Sequence, residues 1–172
     1  MLASGILSGL TAALLLTQHR VLAGLCALAS AASLLVGTIQ AREAAPLAAL
    51  PGRARFAERI LDVIFDASVL VPLAWVMRSD SKGDAILAMV GLGFFYLAAY
   101  QRARGEALGY VGSEVLSYRL TREGLLVLGL LTGWITATLW AFTVLTAAAA
   151  AVRVWNIVVQ ERHARAAQEA EG

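Results

Sequence analysis

The sequence predicts an all-α, polytopic membrane protein with six transmembrane helices. Of its 172 residues, 59% are hydrophobic and only 15% are charged, and the mean hydropathy is +0.72. A soluble domain usually carries about 25% charged residues. The hydrophobic residues also lie in separate blocks instead of narrow stripes, and this segmental pattern is typical of helices that cross a bilayer.

Polar residues mark the ends of six hydrophobic segments. The segments are about 2–17, 21–40, 60–77, 85–100, 120–132 and 135–159, each rich in leucine, alanine, valine and glycine. They are ended in turn by Gln18-His19-Arg20, the charged stretches 41–59, 78–84 and 101–123, and Thr132-Gly133-Trp134. Several segments are shorter than the roughly 20 residues that a bilayer requires. We expect those helices to be buried on neighbours or to end at a wet cavity.

The distribution of the 14 lysine and arginine residues predicts the orientation of the chain. Six crossings place eleven arginines on one side: Arg42, Arg53, Arg55, Arg59, Arg102, Arg104, Arg119, Arg122, Arg153, Arg162 and Arg165. The other side holds Arg20, Arg78 and Lys82. By the positive-inside rule we expect a multi-pass cell-membrane protein with both termini cytoplasmic, a membrane domain at 1–160 and a charged tail at 161–172. The net charge of +2 is too small to indicate nucleic acid as a partner.

An acidic stripe enters the third segment from its cytoplasmic end. Asp62 and Asp66 are four residues apart, so a helix places both carboxylates on one face, with Asp66 roughly 6 Å deeper. Glu58 extends the same face by one more turn. An intramembrane carboxylate costs about 2.5–3.5 kcal/mol on insertion scales, which favours a functional role. The alternative is that Arg55 or Arg59 neutralises the stripe near the membrane interface.

Four arginines lie between the fourth and fifth segments, on the same predicted side as the acidic stripe. They are Arg102, Arg104, Arg119 and Arg122. A guanidinium group binds phosphate oxygens in a fork geometry, and carboxylates beside arginines are the combination used in metal-assisted handling of phosphate. The combination predicts a phosphate site. The alternative is that these arginines only flank the membrane and contact lipid headgroups.

These features resemble the CDP-alcohol phosphotransferase family, nearest to its phosphatidylinositol-phosphate synthase branch. Members are six-span enzymes with the motif D-x2-D-G-x2-A-R-x8-G-x3-D-x3-D across the second and third spans. The third-span half is similar to Leu-Asp-Val-Ile-Phe-Asp at 61–66, with Arg-Phe-Ala at 55–57 where relatives often have Arg-Phe-Gly. Residues 100–109 resemble the Lys-Ala-Arg-Ala-Glu-x-x-Gly stretch of the branch, and Arg122-Glu123 resembles its pair before the fifth span.

The resemblance implies a role in phospholipid biosynthesis, the transfer of a phosphatidyl group from a CDP-lipid to an alcohol or its phosphate. In the family, four carboxylates hold two divalent cations, Mg²⁺ or Mn²⁺, and the last aspartate is the base. Carried over, Asp66 is the base and a metal ligand, and Asp62 is a metal ligand. The substrate phosphates would be held by Arg42, in the place of the motif arginine, and by Arg102, Arg104, Arg119 and Arg122. The family also implies a homodimer.

Departures from the motif predict a degenerate site. The first two motif aspartates fall near Ser33 and Val36, and Glu58 stands in the place of the motif glycine. Half of the metal site is missing, and hard cations require several oxygen ligands. We expect a catalytically degenerate relative that binds lipid or CDP-lipid or pairs with an active relative. Glu58 as a third carboxylate would give a relocated metal site, and ordinary family catalysis is a further alternative. A different class is a small proton-coupled carrier or membrane scaffold that uses Asp62 and Asp66 as protonation sites.

Overall fold

The computed structural model describes residues 2–44, 52–107 and 116–171, with side chains for 3–37, 39–40, 59–105, 107 and 118–162. These ranges form six α-helices and contain no strand. The helices are α1 (Leu2–Leu16), α2 (Arg20–Ala44), α3 (Gly52–Met77), α4 (Lys82–Ala107), α5 (Leu116–Thr132) and α6 (Ile135–Glu171). Each predicted segment lies almost entirely within one helix, so the all-α prediction is confirmed.

Four of the helices are long and apolar enough to cross a membrane. Their apolar stretches are Arg20–Gly37, Arg59–Met77, Lys82–Gly105 and Ile135–Arg162. The 15-residue α1 and the 17-residue α5 have lengths of about 22 and 26 Å at 1.5 Å per residue, against a hydrocarbon core of about 30 Å. The chain is therefore a membrane protein, and six full crossings remain a prediction.

Two turns show why the chain reverses direction where the sequence predicts. At the end of α1, Gln18 adopts a φ of 63°, and the His19 amide donates to the Leu14 carbonyl at 2.9 Å. At the end of α5, Gly133 has a φ of +80°, and its amide donates to the Gly129 carbonyl at 2.9 Å. Both arrangements close a helix through a left-handed residue that satisfies an end carbonyl. The predicted boundary between the fifth and sixth segments is confirmed.

The helices pack in a closed ring, in the order α1, α2, α5, α6, α4 and α3. Helix α1 packs on α2 and α3, α4 packs on α3 and α6, and α5 packs on α2 and α6. The largest fully buried core side chains come from α2, α3, α5 and α6 and include Leu34, Phe65, Leu126, Leu139 and Phe142, each at most 2% exposed. In lipid such side chains stabilise the bundle through close van der Waals packing.

Small polar residues hold α1 against α2. The Ser30 hydroxyl lies 3.1 Å from the Ser4 hydroxyl and 3.0 Å from the Ser8 hydroxyl, and all three side chains are buried. In an apolar surrounding, hydroxyls bring helices together because each needs a partner. This contact agrees with the expectation that short α1 is buried on its neighbours.

Helix α6 has 37 residues, or about 55 Å at 1.5 Å per residue, and is longer than a bilayer requires. It continues without a break from the apolar stretch into residues 161–171. The segment predicted as a charged tail thus continues α6 as far as residue 171.

Candidate functional site

Two buried carboxylates lie in the first described turns of the α3 apolar stretch. Asp62 is 8% exposed and Asp66 has no exposed surface. They are one helical turn apart and both face the interior of the bundle, as the four-residue spacing predicts. A carboxylate in such a place requires a counter-charge, because burial of an unpaired ion is costly.

Two arginines of α5 supply that counter-charge. Arg119 Nη2 lies 2.8 Å from Asp62 Oδ1, and Arg122 Nε lies 3.0 Å from Asp66 Oδ2. The arginines are 5% and 2% exposed. The atoms are at ion-pair distance, but these oxygens and nitrogens make no aligned hydrogen bond with each other. The contacts are therefore close charge pairs.

A third carboxylate joins the pairs. Arg119 Nε donates to Glu123 Oε1 at 2.9 Å, and Arg122 Nη2 lies 3.9 Å from the same oxygen. Glu123 is 1% exposed. We call Asp62, Asp66, Arg119, Arg122 and Glu123 the charged cluster. It holds three carboxylates and two guanidinium groups.

An open cavity of about 320 Å³ borders the charged cluster. Its volume is at the lower end of the range for small-molecule sites. The polar side of the cavity is lined by Arg59, Arg102, Arg122, Arg153 and Tyr118, and Asp62 also reaches it. The remaining wall is apolar and includes Val63, Ile64, Phe95 and Ala98. A space with four arginines and one apolar wall suits an anionic group attached to an apolar body.

Neighbouring helices fix two of the cavity arginines. The Arg122 guanidinium lies 4.4 Å from the ring centroid of Phe95 on α4, within the range of a cation–π contact. Arg153 of α6 donates to the backbone carbonyl of Ala98. Because α3, α4, α5 and α6 each contribute a residue, the cavity exists only in the assembled bundle.

The predicted site residues have different surroundings. Arg119 and Arg122, expected to hold phosphate, lie in the charged cluster, and only Arg122 also lines the cavity. Arg102 is half-buried at the cavity, whereas Arg104 is exposed and is not among the lining residues. The side chains of Glu58 and Arg42 lie outside the described residues.

Glu123 and Arg153 are not among the site residues that the sequence predicts. Glu123 follows Arg119 by four residues, so the two face each other on any helix, and this spacing was a usable signal. Arg153 lies 55 residues after the Ala98 carbonyl that it contacts, and nothing local in the sequence indicates the contact.

Among the described side chains, those of His, Cys, Asp and Glu are the kinds of ligand group that hold metal ions in proteins. Among them, no three His, Cys, Asp or Glu residues lie close enough to hold a metal ion together. Guanidinium nitrogens at 2.8 and 3.0 Å from Asp62 and Asp66 provide the positive charge that a cation would bring. The family resemblance implies further carboxylates and two cations at this place, and the described partners of Asp62 and Asp66 are guanidinium groups.

No protein-family model matches this chain, and neither a curated protein nor a solved structure does. The resemblance to CDP-alcohol phosphotransferases rests on the motif residues alone.

Proposed function

We propose that this chain is a non-catalytic relative of the CDP-alcohol phosphotransferases that binds the phosphate of a lipid or CDP-lipid. Binding would take place in the arginine-lined cavity at the cytoplasmic end of a cell-membrane protein with both termini inside. The observation that carries the proposal is the pairing of Asp62 with Arg119 and of Asp66 with Arg122. Because arginines already neutralise these carboxylates, the site needs no cation to be stable.

The cavity matches a phosphate attached to an apolar body. Guanidinium groups bind phosphate oxygens more strongly than neutral donors do, because the hydrogen bonds are charge-assisted. Arg59, Arg102 and Arg153 stand around the opening, and Phe95 and Ile64 provide apolar surface beside them. A lipid phosphate would meet the arginines while its glyceride portion contacts the apolar wall.

Arg122 would be the deepest phosphate contact. Its Nε faces Asp66 at 3.0 Å and its side chain lines the cavity, so a ligand would meet the edge of the guanidinium that faces away from Asp66. An anionic oxygen at that edge would accept charge-assisted hydrogen bonds. Asp66 would hold the guanidinium in place from the opposite side.

The decisive experiment measures binding and turnover on the same purified protein. CDP-diacylglycerol is supplied with inositol phosphate or glycerol phosphate, first with Mg²⁺ or Mn²⁺ and then with a chelator. We expect saturable binding of the CDP-lipid that survives chelation, and no CMP release under any condition. Metal-dependent CMP release that is lost in Asp62→Asn would contradict the proposal and favour a transferase with a relocated metal site.

Matched arginine variants test the location of binding. Arg102→Gln removes a cavity arginine, whereas Arg104→Gln removes an exposed arginine two residues away that does not line the cavity. We expect the first variant to weaken CDP-lipid binding about tenfold and the second to leave it within about twofold, since one charge-assisted hydrogen bond contributes about 1.5–3 kcal/mol. Equal effects would indicate general surface charge. Ligand uptake into vesicles driven by a pH gradient, without CMP release, would favour a carrier.

A further inference from the structure

We propose that a groove between α3 and α4, at the end of the bundle opposite the charged cluster, binds an anionic phospholipid. One acyl chain would lie in the groove and the phosphate would meet Arg78. The groove encloses about 620 Å³. Arg78 follows Asp62 by sixteen residues, or about 24 Å of helix, so this site is independent of the cavity described above.

Two helical stripes form the groove. Its lining residues are Val71, Ala74, Trp75 and Arg78 of α3 and the α3–α4 turn, and Ala85, Ile86, Met89 and Val90 of α4. Ala74 is small and only 8% exposed, whereas Trp75 and Ile86 are 60% and 64% exposed. A small residue at the floor between large exposed side chains leaves an apolar channel that faces the bilayer. An acyl chain has the chemistry to fill it.

The polar end of the groove carries a fixed cation. Arg78 Nη1 donates to the Trp75 carbonyl at 3.2 Å, and the guanidinium carbon lies 3.5 Å from the centroid of the Trp75 ring. These contacts hold the guanidinium at the end of the apolar stretch that finishes at Met77. Lys82 begins α4 on the other side of the same turn. Two cations therefore stand where the lipid headgroups of that leaflet lie.

The nearby carboxylates contact other parts of the protein. Asp80 lines a separate depression together with Arg20 of the α1–α2 turn. Asp84 accepts a hydrogen bond from Thr136 of α6 at 2.8 Å. Among the described residues that line the groove, Arg78 is the only charged one. A lipid phosphate complements that charge, whereas a helix from a second copy would bury the Arg78 guanidinium against an apolar surface.

Tryptophan quenching by brominated lipids tests the proposal with the full chain in vesicles. A variant in which Trp134, Trp140 and Trp155 are replaced by phenylalanine keeps Trp75 as its single tryptophan; a second variant keeps Trp140 instead. Each is reconstituted in phosphatidylcholine with increasing fractions of chain-brominated phosphatidylglycerol or chain-brominated phosphatidylcholine. We expect brominated phosphatidylglycerol to be preferred about fivefold over brominated phosphatidylcholine in the quenching of Trp75. One cation near the headgroups gives a preference for anionic lipid of about this size. Trp140, exposed on α6, should show no preference.

Arginine variants in the same vesicles complete the test. Arg78→Gln should remove the preference at Trp75, whereas Arg20→Gln, which alters the separate depression, should retain it. The proposal is overturned if Trp75 shows no anionic preference, if Arg78→Gln keeps the preference, or if brominated lipids of neither kind quench Trp75. The last result would mean that protein covers the groove.

Discussion

Replacement of Asp66 by asparagine is expected to strengthen the binding of an anionic ligand in the cavity. Asparagine has the shape of aspartate and keeps an oxygen beside Arg122 Nε, so the guanidinium retains its position. The substitution removes a negative charge that lies behind Arg122 as seen from the cavity. If Asp66 were instead a catalytic base or a metal ligand, the same change would weaken ligand handling. The sign of the effect therefore separates the two roles.

The magnitude follows from the geometry of the pair. Arg122 Nε lies 3.0 Å from Asp66 Oδ2. An anion bound at the far edge of the guanidinium would lie about 7 Å from that carboxylate, and at an effective dielectric constant of about 20 the repulsion is roughly 2 kcal/mol. Its removal corresponds to a decrease in Kd of about thirtyfold. Arg122 gains some conformational freedom in the variant, and this offsets part of the gain in binding free energy. We therefore expect Kd to decrease about tenfold.

The fold should tolerate Asp66→Asn because the substitution makes the numbers of carboxylates and arginines in the charged cluster equal. Three carboxylates face two arginines in the native chain, and Asp66→Asn leaves two of each. The general rule that a broken buried pair costs about 3–5 kcal/mol applies when a charge is left uncompensated. Here Glu123 remains 3.9 Å from Arg122 Nη2 and compensates it.

Equilibrium binding of radiolabelled CDP-diacylglycerol in detergent micelles, at one low ionic strength, measures the change. Asp84→Asn is the matched control, since Asp84 is also a buried helical carboxylate but lies next to Thr136 at the other end of the bundle. Its Kd should equal that of the native chain. The reasoning is refuted if Asp66→Asn binds as weakly as the native chain, or more weakly, while its thermal unfolding is unchanged.

Two further predictions concern stability in detergent, measured by thermal or denaturant unfolding. Arg119→Gln leaves two buried carboxylates without their shared partner and should destabilise the protein by about 3–5 kcal/mol. The control Arg104→Gln changes an exposed arginine and should cost about 0–1 kcal/mol. Equal losses would mean that the Arg119 pairs contribute nothing to stability. Gly129→Ala places a methyl group against a threonine of α6 and should cost about 1–3 kcal/mol of stability. Gly124→Ala on the same helix meets open space, so it should be neutral or stabilising by up to about 1 kcal/mol. A neutral Gly129→Ala would show that α5 and α6 pack less closely than the contact indicates.

Hydropathy predicts the existence of the helices better than their ends. The fourth segment was placed at about 85–100, but α4 runs from Lys82 to Ala107, and the sixth was placed at about 135–159, but α6 runs to Glu171. A hydropathy pattern detects the part of a helix that lies in lipid. The backbone hydrogen bonds continue for several turns into the polar region, where charged side chains are compatible with a helix.

The site could be predicted only where its geometry is local. The four-residue spacing places Asp62 and Asp66 on one face, and the sequence marks Arg119 and Arg122 as important without assigning their partners. Arg119 and Arg122 follow Asp62 and Asp66 by 57 and 56 residues, and the packing of α5 decides which cations meet the aspartates. From the sequence alone, Arg55 and Arg59 are candidate partners near the membrane interface. The described partners come from α5 instead.

Arginines and metal ions both neutralise carboxylates, but they differ in what they require of the surrounding protein. A metal ion exchanges with solvent and must remain open to a substrate that it activates, whereas an arginine is a permanent part of the chain. Asp66 is completely buried and Asp62 nearly so, which suits permanent partners. The arginines around the open cavity lie beside this closed cluster and remain at a surface that a ligand can reach. The division between a closed cluster of ion pairs and an open cationic cavity is the basis on which we propose binding rather than metal-dependent transfer.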